Sequence, residues 1–292
     1  MMVFLQQTIN GIALGSVYAL IALGYTMVYG IVQLINFAHG DIYMVGAYAA
    51  FFAAGALKLP FLPVLLIAMA TSAILGLTIE KLAYRPIRTA PKVTNLITAI
   101  GVSLLIENLV RIFIGPNPRS FPELIKVQII NIGSLQINNL QIVVFSVSVI
   151  LMLILQFIVH KTKVGKAMRA VSQDKDAAKL MGINIDRTIS YTFAIGSSLA
   201  AVAGVLVGIV YQRIDPLMGV MSGLKAFIAA VLGGIGIIPG AMAGGFLMGI
   251  AETLTKGYIS TQLSDAIAFA ILIIILLVKP SGLMGKKTSE KV

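Results

Sequence analysis

Apolar stretches recur from one end of this chain to the other, at 8–30, 42–57, 61–80, 95–114, 140–159, 188–210, 222–237, 240–256 and 263–279. A helix needs about 20 apolar residues to cross a bilayer's hydrocarbon core. Most of these stretches approach that length, and no polar connection between them is long enough to hold a soluble domain. Only 11% of the residues are charged, against about a quarter in an ordinary soluble protein. Hydrocarbon offers no partner to a backbone amide, so spanning segments without alternating polarity must be helices. The expected fold is therefore all-α and integral to the membrane. It is a polytopic bundle of eight to nine transmembrane helices, some short or broken, formed by one transmembrane domain over 1–292.

Charge orients the bundle. Basic residues concentrate in 81–92 (Lys81, Arg85, Arg88, Lys92), in 160–187 (Lys161, Lys163, Lys166, Arg169, Lys175, Lys179, Arg187) and in the tail 280–292, with Lys279 at its edge and Lys286, Lys287 and Lys291 within it. Cytoplasmic loops collect Lys and Arg, which places these three inside and the loop 115–139 outside. Counting back through three crossings puts the N-terminus outside. The same rule accounts for the net charge of +11 without nucleic acid. The first basic residue is Lys58, so the N-terminus lacks a signal peptide's positive region and the first helix is expected to be retained. There is no cysteine and there are two distant histidines, which argues against a disulfide or a His/Cys metal site.

Segments 222–237 and 240–256 are short, glycine-rich and separated by almost no loop, a pattern expected of a broken or re-entrant pair. The glycine pairs 11/15, 204/208, 240/244 and 245/249 each lie four apart on one helix face. They are expected to let helix backbones approach closely.

Within the loop 160–187, "DKDAAKLMG" reads as a complete short helix. Asp174 caps it, Asp176 adds negative charge to its first turn, Lys179 falls in its last turn and Gly182 supplies a left-handed stop. Lys175, Ala177, Ala178, Leu180 and Met181 make up the rest of about two turns. A helix that short needs something to pack on, either the remainder of the loop or a cytoplasmic partner.

No nucleotide-binding pattern is present. In the tail, "SGLMGKKTSEK" departs from a phosphate loop at Pro280 and Lys287, so ATP-driven work would fall to another subunit. Ionisable residues expected within the membrane are few: His39, Asp41, Glu107, Lys225, Glu252 and Asp265. Glu107 and Glu252 each stand four residues before a basic residue, Arg111 and Lys256, and are expected to pair along their own helices. Lys225 is expected to snorkel towards an interface.

The runs "NGIALGSVYALIALGYTMVYGIVQLINFAHGDIYMVGAY", "EKLAYRPIR", "VGKAMRAVSQDKDAAKLMGINIDR" and "GLKAFIAAVLGGIGIIPGAMAGG" occur in this order. Together they resemble branched-chain amino acid ABC transporter permeases of the LivH type, with Lys81 where the family usually has arginine. The resemblance implies a pore-forming subunit in a bacterial inner membrane, with no cofactor of its own. Its implied partners are a second, LivM-like permease, two ATP-binding subunits using ATP and magnesium, a periplasmic amino-acid-binding protein and the lipid bilayer. It also implies that Gly165–Gly182 carries the cytoplasmic coupling helix that docks on an ATPase. The substrate would be leucine, isoleucine, valine or a related neutral amino acid; urea or short amides are an alternative.

The polar cluster Asn36, His39, Gly40 and Asp41 reads as a helix break. Asp41 would cap a helix beginning at Ile42, Asn36 would turn the chain, and His39 would bond nearby carbonyls. Contact with the translocation path, or proton coupling through His39 and Asp41, are the other two readings.

Overall fold

A computed structural model describes residues 2–133 and 135–285. Met1 and the tail lysines 286, 287 and 291 lie outside the described residues. The chain is mostly helical. Its eleven described α-helices are α1 (Met2–Val32), α2 (His39–Gly55), α3 (Phe61–Ile79), α4 (Lys92–Phe113), α5 (Asn139–Lys161), α6 (Lys163–Gln173), α7 (Lys175–Leu180), α8 (Ile185–Tyr211), α9 (Met218–Gly233), α10 (Ile238–Tyr258) and α11 (Leu263–Val278). Four short strands accompany them: β1 (Arg119–Ser120), β2 (Ile129–Ile132), β3 (Leu135–Asn138) and β4 (Arg213–Ile214). Each of the nine apolar stretches has become a helix. Among the described residues, five helices, α1, α3 with its π-helical extension, α4, α5 and α8, are long and apolar enough to cross a membrane; α9 and α11 are shorter apolar helices.

Local chemistry sets the helix ends. Pro60 and Pro63 bracket the start of α3, where a missing amide hydrogen costs nothing. Asn138 accepts from the Leu140 amide while Gln141 reaches back to the Asn138 amide, a capping box that starts α5. Asn184 accepts from the Arg187 amide at the start of α8.

Side-chain contacts divide the molecule into two ends. At one, Gln6 of α1 exchanges two hydrogen bonds with the backbone of Gln136, at 2.8 and 3.0 Å, holding the β2–β3 hairpin. There β1 also pairs antiparallel with β4, tying the 115–139 loop to the α8–α9 junction. At the other end Arg88 meets Asp186 at 2.7 Å, and the amides of Leu283 and Met284 bond to the carbonyls that close α9. The basic segments thus gather opposite the N-terminus and the 115–139 loop, the grouping expected from charge. The hairpin and α6 were not legible as such in the sequence.

The irregular backbone is not where the glycine-rich pair suggested. α9 and α10 are two separate antiparallel helices joined by a tight turn, in which Gly234 and Gly236 adopt φ of 110° and 92°. The breaks precede α2 and α9. α1 ends at Gln33 (φ 59°) and α8 at Gln212 (φ 50°), and six residues after each glutamine a shorter helix begins. The two stretches align as "QLINFAHG" and "QRIDPLMG", and Pro60 and Pro239 follow at the same spacing. α1 and α8 run in opposite directions between the two ends, so the halves form an inverted pair. Gly40 and Gly219 face one another, each leaving no room for a side chain on the other, and Gly24 and Gly196 lie close together where α1 crosses α8.

Glycine also sets the tightest seam. Along α1 and α10, Gly15 lies against Gly245 and Phe246, Gly245 against Ala19, Gly249 against Gly15, and Gly11 against Ile250 and Thr253. Gly204 packs on the backbone of α2, and Gly244 on α9. The four glycine pairs are packing faces, as their spacing implied.

Candidate functional site

After Gln33 the chain folds back into the bundle, and α2 starts with Asn36, His39 and Asp41 all buried, at 2%, 1% and 2% exposure. Asn36 Oδ1 accepts from the Tyr84 hydroxyl at 2.6 Å. The His39 ring fills the space left by Gly24 and stands edge-on to Tyr25, with ring centroids 4.7 Å apart. The backbone amides of His39, Asp41 and Ile42 bond to the carbonyls of Asn36 and Ala38. Ala38 holds the cap position without any side-chain bond. The expected cap by Asp41 is therefore not formed. The helix begins earlier than Ile42, and Asp41 sits within its first turn, where the dipole still favours a carboxylate.

That carboxylate faces a cavity of about 170 Å³ shared by α1, α2, α4 and α9, lined among others by Tyr25, Asp41, Ser103, Glu107, Gly219 and Gly223. Asp41 Oδ2 has no hydrogen-bond partner among the described residues. Glu107, 7% exposed, turns towards Asp41 rather than forming the expected ion pair with Arg111. α4 packs against α2 here, which places the Glu107 side chain in the cavity wall.

A second cluster lies at the basic end. A π-helical turn, Glu80–Tyr84, extends α3; such turns often mark functional positions. Glu80 is fully buried. It accepts from Arg88 at 2.6 Å and from the Ser190 hydroxyl at 2.8 Å. Arg88 also bonds Asp186 at 2.7 Å, which Arg85 contacts as well. Glu80, Tyr84 and Arg88 are four residues apart, and that periodicity within "EKLAYRPIR" was the available signal for this group. They link the start of α8, just after the short helix α7, to Asn36 at the break.

α7 is built as its sequence reads. Asp174 accepts from the amides of Asp176 and Ala177 at 2.8 and 2.9 Å, and Gly182 (φ 80°) ends the turn. Burial pushes the Lys175 ammonium below its usual range, and the nearby Arg88 adds to this. Ala178 is buried within the loop, whereas Leu180 and Met181 are 89% and 83% exposed.

A third cluster was only half legible. Glu252 pairs with Lys256 at 2.6 Å, as their spacing implied. It also accepts from Lys225 at 2.8 Å and from the Tyr18 hydroxyl at 2.7 Å. Lys225, buried at 6% exposure, reaches Asp265 at 2.6 Å as well. It does not extend to the surface, because two carboxylates on neighbouring helices, Glu252 and Asp265, hold its ammonium.

Comparison with known proteins follows this architecture along the whole chain. Residues 7–276 match the family model described as branched-chain amino acid transport system / permease component. The chain is 46% identical over 302 residues to the high-affinity branched-chain amino acid transport system permease protein LivH of Escherichia coli strain K12, covering 99% of this chain and 98% of that one. It is 42% identical over 301 residues to the corresponding permease BraD of Pseudomonas aeruginosa, with the same coverage. In fold it is similar to a chain of PsaBC from Streptococcus pneumoniae solved in complex with Fab, with TM-score 0.50, 14% identity and coverage of 96% of this chain and 93% of that one. By the near-complete match to the family model and the full-length identity to these permeases, the chain belongs to the branched-chain amino acid transport system / permease component family.

Proposed function

We propose that this chain is the membrane-spanning permease subunit of an ATP-driven importer for leucine, isoleucine, valine or a related neutral amino acid. The observation that carries the reading is its full-length likeness to permeases named for high-affinity branched-chain amino acid transport. In this reading the chain lies in a bacterial inner membrane as a single domain. Nine crossings, α1 to α5 and α8 to α11, put the N-terminus and the loop 115–139 outside and the loop 160–187 and the tail 280–292 inside. A second permease completes the pore, an extracytoplasmic binding protein delivers the substrate, and two ATP-binding subunits hydrolyse ATP with magnesium. The test is leucine uptake into proteoliposomes. Uptake that requires ATP and the companion subunits supports the reading. Uptake by this chain alone under a pH gradient overturns it in favour of proton coupling, and transport of urea or short amides in preference to leucine overturns the substrate.

α7 is the coupling helix of this assembly, and its exposed Leu180 and Met181 are the docking surface. A two-turn helix presenting two large apolar side chains to water is a contact waiting for a partner. Leu180→Glu places an unpaired charge in that contact. It is expected to lower ATP-dependent uptake by roughly tenfold or more and to reduce copurification of the ATP-binding subunits, with this chain's membrane level unchanged. Normal copurification would remove α7 from the interface. Ala178 is a poorer probe, because a charge there disrupts the loop itself.

Movement of α7 reaches the helix break through Asp186, Arg88 and Glu80, and through Tyr84 to Asn36. Tyr84→Phe removes only the hydroxyl that bonds Asn36. The expected result is about a fivefold fall in leucine moved per ATP hydrolysed, the equivalent of one hydrogen bond, with assembly and hydrolysis intact. An unchanged ratio would break this link.

A further inference from the structure

We infer that the cavity between the facing starts of α2 and α9 is a transient binding site for a zwitterionic amino acid with an apolar side chain. The inference rests on the importer reading and places the substrate at a defined point in this chain. Two carboxyl groups, Asp41 and Glu107, line a cavity of about 170 Å³ that no basic side chain lines. Like charges so placed repel in a medium of low dielectric, and a cation between them relieves that repulsion. Asp41 is almost wholly buried, and its Oδ2 has no partner among the described residues. A buried carboxylate oxygen left unbonded is costly, and a primary ammonium supplies the missing donor with the right charge.

The other walls suit the rest of such a ligand. Ile100 and Leu104 from α4, with Val220 and Leu224 from α9, give an apolar surface for a short branched side chain. The first turn of α9 presents its positive dipole end, which favours a carboxylate. Transporters commonly bind substrate where discontinuous helices meet near the bilayer's middle. Here the breaks at Gln33 and Gln212 bring the two helix starts together, with Gly40 against Gly219. Ile100 and Leu104 are themselves 45% and 53% exposed, so one wall of the cavity is also part of the outer face of α4.

The test uses the assembled complex in proteoliposomes with leucine and its diazirine analogue. The analogue is expected to crosslink to α4 near Ser103–Glu107 or to the first two turns of α9. Excess leucine should suppress the crosslink, and 4-methylpentanoate, which lacks the ammonium, should not. Glu107→Gln is expected to lower leucine uptake by about tenfold or more, the loss of a charged hydrogen bond, while assembly and ATP hydrolysis persist; Glu107→Asp should retain part of the uptake. Labelling confined to other segments, suppression by 4-methylpentanoate equal to that by leucine, or normal uptake by Glu107→Gln overturns the site. A wild-type complex that moves no leucine with ATP overturns the importer reading itself, and the site with it.

Discussion

Glu252→Leu is expected to destabilise the folded subunit by about 3–5 kcal/mol, the usual cost of breaking a buried ion pair from one side. Glu252 is the one acceptor shared by Lys225, Lys256 and Tyr18, which come from three helices. Its loss leaves the buried Lys225 with Asp265 as its remaining charge partner, and leaves the Tyr18 hydroxyl without its carboxylate. Lys256 is partly exposed and can turn to water, so most of the cost falls on the other two groups. Glu252→Gln keeps one acceptor oxygen, which can serve Tyr18 or the lysines but not both, and its loss should be about half as large. Thermal unfolding of the purified subunit in detergent measures both. A Leu variant that unfolds at the wild-type temperature would show that the cluster contributes nothing to stability.

Gly249→Leu should prevent a stable fold altogether. Even a Cβ at this position collides with the backbone of Gly11 and Gly15 on α1, and a backbone cannot swing aside as a side chain can. Overpacking at a side-chain contact costs about 1–3 kcal/mol. Here four added carbons must push apart the most closely packed helix pair in the molecule, so the cost exceeds that range. Gly101→Leu is the matched control. Nothing lies within 4 Å of a Cβ built there, so the same substitution should leave yield and elution profile unchanged. Equal yields for the two variants would mean that the α1–α10 seam tolerates separation.

Spacing set Gly249, four residues after Gly245, apart from Gly101, but it did not show which helix Gly249 packs against, and that marks where reading the chain stops. Hydropathy located every apolar helix, because each must satisfy its own backbone wherever it packs. The short helix α7 was legible because its cap, its charges and its glycine stop act within nine consecutive residues. Glu252 with Lys256 was legible for the same reason of local spacing. Glu107 followed the same spacing rule and was misread, since the packing of α4 against α2 turns its carboxyl to the cavity and away from the arginine one turn on. The Asp41 cap failed because the backbone of the folded-back segment started the helix early and left the side chain facing the cavity. The break before α9 had a signal, the repeated Q-x-I-[N/D]-x-x-x-G, visible only when the halves are compared with each other.

The sequence by itself determined a polytopic helical bundle, the end at which its basic segments gather, the form of α7 and the family. Each follows from interactions within a few residues or from the solvent that a segment requires. Only the tertiary structure decided which buried charges meet, which glycines are indispensable and that two helix starts enclose a cavity with two carboxyls. Those features depend on distances between segments far apart in the chain, and in a bilayer, where apolar surfaces gain little by burial against one another, close backbone contact and polar pairing select among the possible packings.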